Sequence, residues 1–276
     1  LVWLVKAINF IVYSNLWIAL GAVAFTCQFY LFYHLPFDWA VLWFNFFGTI
    51  FIYTFQRILK IKQGQTPGVR LNWMKDNYFL VLVLTFISAV GVFICFWWLN
   101  YWVYPLLLVN GLIAFLYSIK FLKGRTKNLR DLPGLKIILV AYVWSSTTLL
   151  LPFYNSNAGL LDFPLALFLT YFSFYFALAI PFDIRDLIFD EKSAKTIPQL
   201  LTKNGAIFLA VGLWITSGLT INLLCTNYLV ATNIGLILGG ILIVFSLKKT
   251  EDDLYYSLVL DGLLVLLPLL FYIDSL

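Results

Sequence analysis

Runs of about 20 apolar residues recur along the whole chain, and nothing else limits its fold so strongly. A helix needs roughly that length to cross the hydrocarbon of a bilayer. Nine such runs are read, with soft edges, at 9–32, 38–58, 77–98, 101–119, 134–152, 162–182, 205–224, 227–246 and 255–273. A membrane β-barrel would instead alternate polar and apolar residues over strands of about ten positions. The pattern therefore predicts an all-α, polytopic membrane protein. Charged residues make up only 11% of the 276, against roughly 25% in soluble chains, so most of the surface must face lipid. No linker separates the runs, and 1–276 is read as a single nine-helix transmembrane domain. The first run is long and many others follow it, which does not fit a cleavable signal peptide.

The basic residues test the count. They fall at Lys6, between Arg57 and Lys75, between Lys120 and Lys136, between Arg185 and Lys203, and at Lys248 and Lys249. With nine spans, all 18 lie on one side of the membrane. The opposite connections carry His34, Asp38, Asn100, Asn155, Asp162 and Asn227, with no Lys or Arg. The positive-inside rule then predicts an integral membrane protein with a cytoplasmic N-terminus and an outside C-terminus. The net charge of +5 reports topology, and no nucleic-acid partner is expected. Cys27, Cys95 and Cys225 form no C-x-x-C pair and are read as small buried hydrophobes. A single histidine, His34, makes no metal site.

Polar chemistry is densest in "IPFDIRDLIFDEKSAKT", Ile180–Thr196. Asp183, Asp186 and Asp190 have offsets of three and four, which puts them within about 60° of one helix face. Arg185 is expected to point the other way. Three carboxylates on one face repel one another unless a cation sits among them. Mg²⁺ takes one or two carboxylates together with substrate phosphates. The triplet thus predicts a Mg²⁺–diphosphate site, with all three aspartates as metal ligands. The competing reading is a solvated loop in which Asp alternates with Lys and Arg.

The segment "DIRDLIFDEKSAKTIPQLL" (Asp183–Leu201) resembles the second aspartate motif of the UbiA superfamily of intramembrane prenyltransferases, with the basic-Thr segment that follows it. "LYSIKFLK" (Leu116–Lys123) resembles that family's Tyr–Ser…Lys segment. The resemblance implies a nine-helix bundle around a central cavity, with aspartate motifs in the cytoplasmic loops after the second and sixth helices. It implies that Mg²⁺ on the catalytic residues Asp183, Asp186 and Asp190 binds the diphosphate of a polyprenyl donor. An allylic cation then develops, and a hydrophobic acceptor, unidentified, attacks it. Aromatic side chains of the second and sixth runs, among them Phe46, Phe51, Tyr171 and Phe174, would shield and stabilise that cation. Aromatics at helical spacing are also ordinary bundle packing.

The family's first motif, N-x-x-x-D-x-x-x-D, is not matched. In "FNFFGTIFIYTFQRIL" (Phe44–Leu59) the corresponding positions are Thr49, Tyr53 and Arg57. Two readings follow. In one, Arg57 replaces a metal, gripping phosphate with its rigid fork, and Tyr53 donates a hydrogen bond. In the other, the protein binds a prenyl lipid or quinone, or assists a partner enzyme, without transferring anything. Arg57 also reads as a headgroup anchor. Lys120 and Lys195 are the next candidates for diphosphate. Asn45, Thr49, Tyr53, Tyr117 and Asp261 are candidate pocket residues. Asp261 lies about two turns inside the last run, where a carboxylate is costly and points to function. A transporter is a third reading, but transport sites sit near the midplane, which only Asp261 approaches.

Overall fold

A computed structural model of the chain describes residues 2–62, 68–118, 134–156, 163–187, 195–225, 229–249 and 252–276. Among the described residues the apolar runs all lie on helices and no strand occurs. Lipid offers no partner for backbone N–H and C=O groups, so an apolar segment must satisfy them along its own axis.

The first run, expected as one span, is two helices: α1 (Val2–Tyr13) and α2 (Leu16–Phe32), bent by 60°. The bend sits at Asn15, which adopts a left-handed φ of 67°, a conformation that Asn tolerates better than most residues. Its Nδ2 donates to Thr54 Oγ1 at 3.1 Å, which ties the bend to the next helix. α1 turns aside and packs Phe10 and Tyr13 against Trp73. α3 (Trp39–Lys62) starts where Asp38 Oδ1 accepts from the N–H groups of Ala40 and Val41 at 2.9 and 3.3 Å. This is a side-chain cap on otherwise orphaned donors. Then come α4 (Val69–Asp76), α5 (Tyr78–Phe96) and α6 (Tyr104–Ser118).

α7 (Leu135–Asn155) contains a widened π turn at Ser146–Leu150. α8 (Leu165–Asp186) carries Pro181, and α9 (Ile197–Leu224) opens with a capping box between Thr196 and Gln199. α10 (Val230–Phe245) and α11 (Tyr255–Ser275) close the bundle, and the first turns of α11, Tyr255–Leu260, are again π-helical.

Six helices are long and apolar enough to cross a membrane, or seven if α1 and α2 form one bent span. That is fewer than the nine expected. The apolar stretch at α6, Tyr101–Tyr117, is short. α3 has 24 residues, but Asn45, Gln56 and Arg57 dilute its apolar character. Length and composition make the chain a multi-pass membrane protein. Its outward faces agree, because Phe86, Phe93, Phe208, Leu223 and Ile237 are all exposed.

The two ends of the bundle differ. At one, Asn155 Nδ2 donates to Asp38 Oδ2 and Asn155 Oδ1 accepts from the Asn100 N–H, both at 2.7 Å. The Asp274 carboxylate accepts from the N–H groups of Ala231 and Thr232, at 2.8 and 2.7 Å, where α10 begins. At the other end, the C-terminal turns of α3 and α8 meet α4 and the first turns of α7 and α11 around a charged pocket. Between the ends lies an aromatic core in which Phe25, Phe174, Tyr175 and Trp144 are in ring contact.

Candidate functional site: a cationic pocket at one end of the bundle

The pocket is a cavity of about 250 Å³. α3 lines it with Tyr53, Gln56, Arg57 and Lys60, positions that share one helix face. α8 contributes Tyr175, Leu178, Phe182, Asp183 and Asp186 at the same period. α7 adds Lys136, Val140 and Trp144; Asp261, Arg70 and Tyr117 come from α11, α4 and α6. Regular helical spacing thus sorts the lining by depth. Charges lie toward the helix ends, and Val140, Trp144, Tyr175, Leu178 and Leu264 make the inner wall apolar. Trp144 Nε1 donates to Tyr53 Oη at 3.2 Å, fixing both rings at the boundary.

Asp183 and Asp186 are both ion-paired. Lys136 Nζ lies 2.6 Å from Asp183 Oδ1 and 3.3 Å from Asp186 Oδ2. Arg185 does not point away. Its guanidinium wraps back to Asp186 Oδ1 at 3.0 Å and reaches Asp253 Oδ1 at 3.0 Å. It also lies over the Phe182 and Tyr256 rings. A long, flexible stem lets an Arg serve a face that its Cα does not share. Asp183 is 2% exposed, and a carboxylate so deep is tolerable only when paired.

The opposite wall has cations with less to hold. Arg57 has no hydrogen-bond or ion-pair partner among the described residues, and its Nη1 is buried. Arg70 Nε is buried too and has no hydrogen-bond partner among the described residues; Asp253 Oδ2 lies 3.8 Å away, beyond hydrogen-bond range. Burial holds the Arg70 guanidinium below its ordinary pKa, while Asp253 and Asp261 pull the other way. An arginine does not lose its proton at this cost, so the guanidinium stays charged. Asp261, 8% exposed, faces Arg57, Arg70 and Arg185.

Of the residues predicted from sequence, Tyr53, Arg57, Tyr117, Asp183, Asp186 and Asp261 meet in this pocket. Asn45 and Thr49 do not line it. Asn45 instead clamps three helices, its Nδ2 donating to Thr26 Oγ1 at 2.8 Å and to the Thr147 carbonyl at 2.9 Å. Lys195 is exposed, with a left-handed φ of 45°, and lies outside the pocket. Asp190 and Lys120 fall outside the described residues. Sequence reasoning missed Lys60, Arg70 and Lys136 as pocket cations. Beside helix ends, such residues read in the sequence as topology signals alone.

The Mg²⁺ expected from the acidic triplet does not fit the described part of this site. The Lys136 ammonium stands between Asp183 and Asp186, where a divalent ion would need both carboxylates. Among the described residues no group of three or more His, Cys, Asp or Glu is placed to hold a metal.

No family model matches the chain, and no curated protein or solved structure matches it either.

Proposed function

We propose that the chain is a divergent UbiA-like protein that transfers a prenyl group from a polyprenyl diphosphate to a hydrophobic acceptor at the cytoplasmic face of the membrane. The observation that carries this reading is Arg57. A buried guanidinium nitrogen without a partner opens onto a pocket whose inner wall is apolar and aromatic. An unmet buried donor is costly, and an amphiphile with an anionic head and an isoprenoid tail answers both halves of the site. In the reaction the allylic C–O bond breaks and its electron pair leaves with pyrophosphate. The acceptor bonds to the freed carbon and gives up a proton. Arg57, Lys60 and Arg70 stabilise the charge that grows on the leaving group. Trp144, Tyr175 and Phe182 keep water away and offer π faces to the cation.

The nine-helix topology belongs to the same proposal. α3 runs from the Asp38 cap to Arg57, and α6 runs from beside Asn100 to Tyr117. Each therefore joins the amide-rich end to the pocket end, as a crossing helix would. The cavity is then the central cavity of a UbiA-like bundle, the pocket end is cytoplasmic, and the C-terminus lies outside.

Purified protein in nanodiscs, given a panel of allylic diphosphates and membrane lipid extract as the acceptor source, tests the reading. Pyrophosphate should appear in step with a prenylated product, and Arg57→Gln should abolish both. The ion-paired state of Asp183 and Asp186 favours a second reading, a non-catalytic protein that holds a prenyl diphosphate. Binding with no pyrophosphate from any donor would select that one.

A further inference from the structure

We propose that the pocket holds the diphosphate head without a divalent metal, the Lys136 ammonium standing in the metal's place; this rests on the reading of the ligand as a prenyl diphosphate. Three observations carry it. First, Lys136 Nζ bridges Asp183 and Asp186 from within the first turn of α7, and its side chain is only 14% exposed. A metal entering between the carboxylates would have to break two ion pairs and displace a largely buried ammonium. Second, the facing wall of α3 presents Tyr53, Gln56, Arg57 and Lys60 and no carboxylate. A metal there would meet cations on the side where it needs oxygen ligands.

Third, the charge balance is already positive. Among the described residues the lining holds Arg57, Lys60, Arg70, Lys136 and Arg185 against Asp183, Asp186 and Asp261, with Asp253 paired to Arg185 from outside it, an excess of one positive charge. A carboxylate–metal site works in reverse, with excess negative charge that the metal neutralises. Here a divalent cation would deepen the imbalance, whereas a diphosphate corrects it. Arg57 and Arg70 supply buried donors with no hydrogen-bond acceptor, and guanidinium matches the paired oxygens of a phosphate. Lys136 and Arg185 keep the acids neutralised, so that they do not repel the incoming anion.

The test is equilibrium binding of two probes to the full chain in nanodiscs, each measured in EDTA and in millimolar Mg²⁺. One probe is inorganic pyrophosphate; the other is a farnesyl thiodiphosphate, which resists ionisation. The expected result is binding in EDTA with affinity within about twofold of that in Mg²⁺. Arg57→Gln should weaken both probes by roughly ten- to hundredfold in either buffer, the range of a lost charged hydrogen bond. Lys136→Gln should lose binding in EDTA and regain part of it in Mg²⁺, because the freed carboxylates then accept a metal. If Lys136→Gln does not fold, the comparison of EDTA with Mg²⁺ on the unaltered chain decides alone. Binding that requires Mg²⁺ overturns the metal-free inference and leaves the diphosphate reading standing. Failure of both probes in both buffers overturns the diphosphate reading and this inference with it. Tight binding of the thiodiphosphate with none of pyrophosphate keeps the inference and shows that the tail supplies much of the affinity.

Discussion

Single residues in this bundle divide into those that hold helices together and those that face the pocket, and sequence spacing separates them poorly. Asn45 and Tyr53 share a face of α3 by offset, yet Asn45 is bonded to Thr26 and Thr147 while Tyr53 reaches the cavity. An amide away from water goes to the nearest partner, and the π turn of α7 leaves the Thr147 carbonyl available to it. Asn45→Ala should therefore lower stability by about 1 kcal/mol, the usual scale of a polar contact between membrane helices. Probe affinity should stay unchanged. Thermal unfolding in detergent beside a binding isotherm checks both, and a large loss of affinity would return Asn45 to the pocket. Tyr53, Arg57, Asp183 and Asp261, which line the cavity, are conspicuous in the sequence because ionisable or phenolic groups are rare in apolar runs. Lys136 and Arg70 are not conspicuous. A lysine at a helix end looks the same whether it anchors to headgroups or bridges two buried aspartates, and only the tertiary approach of α7 to α8 distinguishes them.

Among the elements, glycine marks where helices come closest. A Cβ at Gly239 of α10 would collide with the Trp214 ring of α9, and one at Gly91 of α5 with Phe47 of α3. Trp214 Nε1 also donates to the Leu236 carbonyl at 2.7 Å, so the ring cannot swing aside without losing that bond. Gly239→Ala should cost about 1–3 kcal/mol through overpacking. Gly48, in the middle of α3, has nothing within 4 Å of the added atom. Gly48→Ala should raise stability by about 0.5–1 kcal/mol, since the glycine gives only backbone entropy to the unfolded chain. Unfolding midpoints of the two variants, read against the parent, should move in opposite directions. Equal shifts would mean that packing at Gly239 is looser than the Trp214 contact implies. Apolar runs forecast the helices themselves well, because lipid leaves the backbone one solution. They did not forecast the bend at Asn15. Leu, Val and Ile continue on both sides of it, and the bond that ties it down reaches Thr54, 39 residues away.

At the scale of the whole molecule the proposed nine-helix topology turns on α3 and α6, which apolarity alone does not count as crossings. α3 spans about 36 Å at the usual helical rise, from a cap at Asp38 to cations at Arg57 and Lys60. If it crosses, His34 and Lys75 lie on opposite sides of the membrane; if it does not, they lie on the same side. α5 gives the same choice for Tyr101 relative to Lys75, since it alone lies between them. All four reporter positions, His34, Lys75, Tyr101 and Lys248, are exposed, so a label can reach them. With Cys27, Cys95 and Cys225 replaced, single cysteines at these positions can be labelled by a membrane-impermeant maleimide in sealed vesicles of known orientation. Lys75→Cys and Lys248→Cys should label only from the cytoplasmic side, and His34→Cys and Tyr101→Cys only from the other. Labelling of His34→Cys and Lys75→Cys from one side would remove α3 from the crossing helices. It would also mean that the Asp38 cap and Arg57 do not lie at opposite faces of the membrane. Correct pairing with reversed sidedness would keep the bundle and the pocket intact. The diphosphate would then have to reach the site from outside, where no cytoplasmic pool of the donor is present.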